Sequence, residues 1–192
     1  MIKSLPMEFA RAIRLTLVFA LVTGLIYSLA FTGIAQVIFP NQANGSLITK
    51  NGQVVGSSLI GQEFKSDKYF HGRPQAYAAD NSAGSNLGPN NKALIDRVAS
   101  SARTARSDNG LAPDAEVPVD LVTIDFTGFD PDISEAAALL QVHRVAQARS
   151  LDESKLRALV EKYVQGRVLW IFGEPHVSVL QLNIALDAGE AG

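Results

Sequence analysis

The sequence contains no cysteine among its 192 residues. This absence excludes disulfide bonds, iron–sulfur clusters and zinc sites built on thiolates. Charged residues are also sparse, at 19% of the chain, and the formal net charge is only −2. A chain without an excess of basic residues lacks the positive surface that nucleic-acid binding requires, so we expect no nucleic-acid partner.

Sequence motifs of catalysis are missing as well. The three histidines, His71, His143 and His176, stand far apart, and none belongs to an HExxH zinc motif. The chain also has no GxSxG nucleophile elbow and no GxxxxGK[ST] phosphate loop. Although a catalytic triad can assemble from distant residues, we expect neither a catalytic site nor a metal site in this chain.

Charge is absent altogether from one long segment, Leu15 to Pro40. About 20 apolar residues in a helix cross a hydrocarbon core of roughly 30 Å, so these 26 residues are long enough to span it. Backbone groups inside lipid must bond to one another, which predicts a helix. A cleaved signal peptide would have a shorter apolar region that ends in small residues, whereas this run ends in VIFP. The segment is therefore predicted to be an uncleaved transmembrane anchor.

The charges around the anchor predict its orientation. Residues 1–14 hold three basic residues and one acid, whereas the first charge after the anchor is Lys50. Positively charged flanks stay in the cytoplasm. We therefore expect a single-pass protein of the inner membrane, with residues 1–14 cytoplasmic and residues 41–192 forming an extracytoplasmic domain. Residues 15–192 together carry a net charge of −4.

Small residues within the anchor suggest a contact with another helix. Gly24 and Ser28 lie four positions apart, a spacing that lets a second membrane helix approach closely. Such residues also occur in anchors that have no partner, so both interpretations stay open. The anchor has no ionisable residue, which argues against a role as an ion path.

Several local patterns predict the structure of the remaining 150 or so residues. Asn51-Gly52 lies between two runs that contain apolar residues, which predicts a β-hairpin. Helices are predicted where apolar residues recur at helical spacing after a capping residue: Asn90 or Asn91, Ser134, and Asp152.

Three further segments have the composition of strands. Residues 119–124 read VDLVTI and residues 168–172 read VLWIF. From Val179 to Leu186 apolar residues occupy alternate positions, the period of a half-buried strand. Because the predicted strands and helices interleave, we expect a small α/β or α+β domain behind one transmembrane helix.

Polar loops supply the candidate sites. Residues 68–76 (KYFHGRPQA) form either an anion or partner site built on Arg73, or a buried aromatic pair with Arg73 bonded to nearby carbonyls. Residues 80–91 (DNSAGSNLGPNN) predict an ordered loop with Asx turns rather than a phosphate site. Asp130 and Asp132 could bind a cation, but their position ahead of a helix favours a capping role.

A series of motifs in a fixed order resembles one family, the C subunits of the Kdp high-affinity potassium-transporting ATPases of bacteria and archaea. The motifs are GSLI (45–48), VVGSSLIGQEF (54–64), YFHGRPQA (69–76), GSNLGPNN (84–91), PVDLVT (118–123), DPDIS (130–134), QVHRVAQAR (141–149) and GEPHVSVLQLNIALD (173–187). Together with the anchor, the resemblance covers nearly the whole chain.

The resemblance implies a role inside a membrane complex. In this family a channel-like subunit carries potassium, a P-type ATPase subunit hydrolyses ATP with magnesium, and a small single-span subunit completes the assembly. The C subunit is implied to be a non-catalytic accessory subunit that is needed for assembly and raises the affinity of the ATPase subunit for ATP. ATP is cytoplasmic and this domain is predicted to lie outside, so such an effect would have to be allosteric.

The match to the family also indicates residues for a partner interface or a structural role: Arg73, Asn86, Arg144 and Asn183, besides Gly24 and Ser28. The chain departs from the family at residues 125–134, where a small loop has become bulkier, and at GEPHVSV, where the family often reads GEPRVNV. No cofactor-binding residue is therefore assigned. The alternative functions are an anchored extracytoplasmic solute-binding module or hydrolase.

Overall fold

The computed structural model of the chain describes residues 5–75 and 82–191. Lys3 of the predicted N-terminal flank, Ala76 of the first predicted loop and Asp80 and Asn81 of the second lie outside the described residues. The chain divides into two compact units, Met1–Leu47 and Ile48–Gly192.

The first unit is built on a long apolar helix, as predicted. Helix α1 (Leu5–Leu21) continues through one π-helical segment (Val22–Tyr27) into helix α2 (Ser28–Ile38). The helix ends where Phe39 precedes Pro40, because a residue before proline is disfavoured in the α conformation. A single turn of helix, α3 (Pro40–Ala43), follows. Residues Pro6–Ile38 are long and apolar enough to cross a membrane.

Hydroxyl groups in this helix bond to its own backbone. Thr23 Oγ1 donates to Phe19 O at 2.6 Å, and Thr32 Oγ1 donates to Ser28 O at 2.8 Å. Ser28 Oγ also donates within the helix, to Thr23 O at 3.2 Å. These hydroxyls are therefore satisfied without water, which a hydrocarbon environment requires.

The second unit begins with the predicted hairpin. Strands β1 (Leu47–Lys50) and β2 (Gln53–Ser57) pair across a turn in which Asn51 has φ 52° and Gly52 has φ 78°. Positive φ at both central residues is typical of a type I′ turn, in which Asn-Gly is strongly favoured.

Three predicted helices form with their predicted caps. Helix α4 (Lys92–Asp108) begins at Asn91, whose side chain accepts from Ala93 N. Ser134 caps helix α5 (Glu135–Arg149), and Asp152 caps helix α6 (Glu153–Tyr163). In each case a short side-chain oxygen binds a backbone N–H that would otherwise have no partner in the first helical turn.

A three-stranded antiparallel sheet supports these helices. Its strands are β3 (Asp132–Ser134), β5 (His176–Ser178) and β4 (Val164–Gln165), with β5 in the centre. Val177 lies opposite both Ile133 and Val164. Helix α7 (Val179–Asp187) follows β5 directly, and β5 contacts α5, α6 and α7. The core of the domain lies between these elements and includes Val142, Leu156, Val177 and Leu182.

Two predicted strands are wrong because neither segment pairs with a strand of the sheets that the structure describes. Residues Val119–Leu121 form a short 3-10 helix, in which Val119 is 67% exposed. The carboxylate of Asp120 is buried there and accepts from Ser134 N at 2.5 Å, which holds the turn against β3. Residues 168–172 form the tip of a hairpin loop, and their side chains are exposed.

The third predicted strand, Val179 to Leu186, is helix α7. The alternation of apolar residues resulted from a helix that is buried on most of its surface rather than on one stripe. A short apolar run of this kind cannot be assigned by periodicity alone. The overall expectation of a mixed α/β domain that follows one long apolar helix is confirmed.

Candidate functional site

The segment Asp67–Arg73 is bound to the domain by side chains rather than by a neighbouring strand. It contains the sequence YFHGR, and its Phe70 side chain is fully buried. Buried polar residues from α5 and α7 reach its backbone. Because backbone groups in an interior must find partners, these polar side chains determine where the segment lies.

Asn183, on α7, binds the backbone of Phe70 on both sides. Its Oδ1 accepts from Phe70 N at 2.9 Å, and its Nδ2 donates to Phe70 O at 2.9 Å. Only 1% of Asn183 is exposed. The amide thus takes the place of a backbone peptide group of a neighbouring strand.

Gln141, on α5, does the same for the next residue. Its Oε1 accepts from His71 N at 2.8 Å, and its Nε2 donates to His71 O at 3.0 Å. Sequence reasoning missed Gln141 as a functional residue. The available signal was a polar residue directly before Val142, on the buried stripe of a predicted helix.

Arg144 completes this arrangement from the next turn of α5. Its Nη1 donates to Asp67 O at 2.8 Å and to Tyr69 O at 3.0 Å, while its Nη2 donates to Gln141 Oε1 at 2.7 Å. Its Nε donates to Asn109 Oδ1 at 3.1 Å. Burial lowers the pKa of Arg144, but a guanidinium remains charged at neutral pH. We call Asn183, Gln141 and Arg144 the clamp.

Arg73 forms an ion pair with an acidic side chain of another loop. Its Nε donates to Asp130 Oδ2 at 2.7 Å, with both side chains about a quarter exposed. Asp130 Oδ1 accepts from Asp132 N at 3.0 Å, two residues along the same loop, so the ion pair joins this loop to the segment that ends at Arg73. Arg73 is thus tied to the loop of Asp130, and its role in an anion or partner site stays a prediction.

A second cation secures the outer side of the segment. Arg149 Nε donates to Lys68 O at 2.6 Å, and its Nη2 donates to Asp187 Oδ1 at 2.7 Å. Its guanidinium lies 4.8 Å from the centre of the Tyr69 ring. Tyr69 is therefore held at the surface while Phe70 enters the core.

A cleft of about 470 Å³ lies beside the clamped segment, between it and α4. Acidic and basic side chains both line it, among them Glu63, Lys65, Arg73 and Asp108. Neither sign of charge dominates, so the cleft has no evident preference for phosphate or for a metal cation. Among the described residues, no group of three or more His, Cys, Asp or Glu side chains could hold a metal ion.

The three histidines lie in separate parts of the domain. His71 Nε2 donates to Ser66 O at 3.1 Å, and His143 Nδ1 lies 2.6 Å from Glu153 Oε1. His176 Nε2 lies 3.7 Å from Asp132 Oδ2. Each has its own local partner, and these contacts do not form the serine–histidine pair that a hydrolase would need.

The clamp makes stability depend on pH through His71. Burial lowers the pKa of His71, and the Arg144 guanidinium acts in the same direction. In the unfolded chain the pKa is about 6.5, so on acidification the unfolded state takes up a proton that the folded state resists. The contribution of neutral His71 to stability is therefore present above about pH 6.5 and is lost as pH falls below it.

We expect the variant His71→Gln to become more stable relative to the unsubstituted chain as the pH falls from about 7.5 to about 5.5. Urea unfolding of the full chain in detergent micelles at both pH values measures this difference. The control is His143→Gln, which removes an imidazole that is mostly exposed. An identical pH dependence for His71→Gln and the unsubstituted chain would contradict the assignment.

Three other predicted residues lie outside the clamp. Asn86 occupies an exposed loop with φ 52°, a backbone conformation that asparagine tolerates better than most residues. Gly24 lies in the π-helical segment and Ser28 at the start of α2, both exposed. A Cβ atom built on Gly24 would meet no heavy atom of the described residues within 4 Å.

Comparison with known proteins gives one consistent result. Residues 9–188 match a family model described as "KdpC: K+-transporting ATPase, c chain". The chain is 54% identical to the potassium-transporting ATPase KdpC subunit of Rhodopseudomonas palustris strain BisB18, over 95% of this chain and 98% of that protein. It is 52% identical to the KdpC subunit of Bradyrhizobium diazoefficiens, over 96% and 98% of the two chains. Identity to the KdpC subunit of Gloeobacter violaceus is 50%, over 94% and 95%.

Proposed function

This chain belongs to the KdpC family of potassium-transporting ATPase subunits, and on that premise we propose that it is a non-catalytic accessory subunit of an ATP-driven potassium import complex. The observation that carries the proposal is the full-length match, since it includes both the apolar helix and the clamped domain. The catalytic site for ATP hydrolysis would then lie on a partner P-type ATPase subunit, and a channel-like subunit would carry potassium. A small single-span subunit would complete the complex.

The proposed topology follows from charge. Arg11 and Arg14 precede the uncharged run, and positively charged flanks remain in the cytoplasm. The domain of residues 41–192 would accordingly lie outside the membrane, behind an anchor formed by residues 15–40. Protease added to sealed spheroplasts should then cleave the domain and spare the N-terminus.

Any effect of this subunit on ATP affinity has to cross the membrane in that arrangement. Linkage allows this only if the subunit binds two conformations of the complex with different affinity, and the coupling is then reciprocal. The clamp supports such a role because its buried hydrogen bonds fix the segment Asp67–Arg73 to the rest of the domain.

The first experiment is purification of the tagged full-length chain from native membranes of cells grown at low potassium. Mass spectrometry should identify a P-type ATPase subunit and a channel-like subunit, and the eluate should hydrolyse ATP in a potassium-stimulated manner. If the chain is recovered alone although the partner genes are expressed, the proposal is wrong. An anchored hydrolase or solute-binding module would then be the better hypothesis.

Gly24 offers a sharper test of assembly. Because a leucine there would keep a second helix at a distance, Gly24→Leu is expected to reduce the partner subunits recovered in that purification several-fold. Ala30→Leu is the matched control, since position 30 lies two residues, or about 200°, from Ser28 around the helix. Equal recovery with Gly24→Leu and Ala30→Leu would exclude this face as a helix contact.

A further inference from the structure

The hairpin between β4 and β5 ends in a surface of unusual composition. Its tip, residues 168–172 with the sequence VLWIF, contains five apolar side chains in a row. Each is between 63% and 90% exposed, and Trp170 at 90% is the most exposed of them. Soluble proteins rarely expose so many contiguous apolar side chains, so such a patch indicates a binding surface. We call residues 168–172 the apolar tip.

The backbone of the apolar tip holds these side chains outward. Leu169 has φ 52° and Trp170 has φ 61°, left-handed conformations that are costly for residues of this size. Val168 and Phe172 exchange both of their backbone hydrogen bonds, at 2.8 and 2.9 Å, and close the turn. A costly conformation that its surroundings enforce points to a function.

Hydrogen bonding within the tip distinguishes between a protein and a lipid as the occupant. Four of the five N–H groups of the tip, those of Val168, Trp170, Ile171 and Phe172, donate to carbonyls between residues 167 and 172. A loop that docks on a protein can leave backbone N–H groups free to donate to that partner. A loop that enters lipid has to bond its N–H groups to its own carbonyls. This pattern favours lipid.

Charge at the base of the hairpin is already neutralised. Arg167 Nη2 donates to Glu174 Oε2 at 2.6 Å, so the two residues that flank the tip cancel each other. The tip therefore has no net attraction for an anionic surface. Tryptophan combined with aliphatic residues is the composition preferred at the boundary between headgroups and acyl chains.

The covalent connection to the anchor makes weak insertion sufficient. Eight residues, 39–46, separate α2 from β1, and they span at most about 30 Å when fully extended. A tethered surface meets its target at an effective concentration on the order of millimolar, so a few apolar side chains can bind without high intrinsic affinity.

We propose that the apolar tip inserts into the interfacial region of the bilayer that holds the chain's own anchor, and so gives the domain a second, non-covalent attachment to the membrane. This inference rests on the proposed anchoring of residues 15–40. Insertion would restrict the orientation of the domain relative to the membrane surface.

Trp170 is the only tryptophan of the chain, so its fluorescence reports on the tip alone. The full chain is reconstituted at low density into vesicles of phosphatidylcholine, with or without bromine atoms near the start of the acyl chains. We expect several-fold quenching of Trp170 by the brominated lipid, and weak quenching by acrylamide in the aqueous phase. High salt should leave both results unchanged because the hairpin base is neutral.

Ile171→Asp should abolish the quenching by brominated lipid while Trp170 remains in place. Val119→Asp is the matched control, because Val119 is similarly exposed, at 67% against 72% for Ile171, but lies outside the hairpin. Circular dichroism establishes that both variants are folded. Equal emission in brominated and unbrominated vesicles would overturn the inference, as would protection of Trp170 only after the partner subunits are added.

Flotation with vesicles distinguishes a tip that does not insert from a helix that does not anchor the chain. A chain that floats with vesicles at alkaline pH but is not quenched by bromine is anchored without an inserted tip. A chain that does not float lacks the anchor itself.

Discussion

Replacement of Arg144 by methionine is expected to destabilise the domain by about 3 kcal/mol, since it leaves two backbone carbonyls and a buried amide oxygen without a donor. Those acceptors are Asp67 O, Tyr69 O and Asn109 Oδ1, whereas Gln141 Oε1 keeps His71 N as a donor. Methionine fills a similar volume, so the loss measures the hydrogen bonds more than the packing. Urea unfolding of the full chain in detergent micelles, followed by circular dichroism, gives the free energy of unfolding.

The controls for Arg144→Met test the geometry of the guanidinium. Arg144→Lys should restore little of the lost stability. A lysine has one ammonium group, which cannot donate to all of the acceptors that the Nε, Nη1 and Nη2 atoms of the guanidinium reach. Arg157→Met removes an exposed arginine from α6 and should change the free energy of unfolding by less than about 0.5 kcal/mol. A loss of under about 1 kcal/mol in Arg144→Met would mean that water replaces the guanidinium and that the clamp does not depend on it.

The second large effect is expected at Asn183. Asn183→Leu removes the acceptor for Phe70 N and the donor to Phe70 O in one step, and both backbone groups remain buried. At about 1–3 kcal/mol for each unsatisfied group, the expected loss is about 3 kcal/mol. This corresponds to a fall in melting temperature of roughly 10 °C for a domain of this size.

A charge variant sharpens the test at Asn183. In Asn183→Asp the carboxylate can still accept from Phe70 N, but it faces Phe70 O with no proton to donate. Protonation supplies that donor, so the variant should recover part of its stability as the pH falls, unlike Asn183→Leu. Gln147→Leu, which removes an exposed amide from α5, is the control and should be nearly neutral. Parallel pH dependence in the two Asn183 variants would contradict the proposed hydrogen bonds.

Local chemistry determined which parts of the fold could be predicted from the sequence. The predicted caps Ser134 and Asp152 are confirmed, and of the two candidates Asn90 and Asn91 the structure has Asn91, because a cap depends on a few neighbouring residues. The Asn51-Gly52 turn was correct for the same reason. The long apolar helix could be predicted from its length and its lack of charge alone.

The errors occurred where tertiary contacts decide between helix and strand. Helix α7 is buried on most of its surface, so its apolar residues carry no helical period. Residues 168–172 have strand composition, yet they remain exposed at a hairpin tip. Propensity alone cannot indicate whether an apolar run meets a core or lies outside it.

The candidate site was predicted only in part. Arg73, Arg144 and Asn183 were identified through the family resemblance, and the structure brings Arg144 and Asn183 together on one backbone segment. Gln141 was missed because the sequence does not state which buried polar residue faces which peptide group. Arg73 contacts Asp130, which lies 57 positions away, and that pairing depends on how two loops pack.

The clamp determines when the domain can fold during synthesis. The hydrogen bonds that hold Phe70 reach 113 positions along the chain, and those of His71 reach 70. Contacts over such separations close long loops and form late in folding. A nascent chain that ends before α7 has no partner for the Phe70 backbone, so the domain cannot mature from its N-terminal end as synthesis proceeds. Its folding has to wait until α7 has emerged, and a chain truncated before Asn183 would be a substrate for proteolysis rather than a smaller stable subunit.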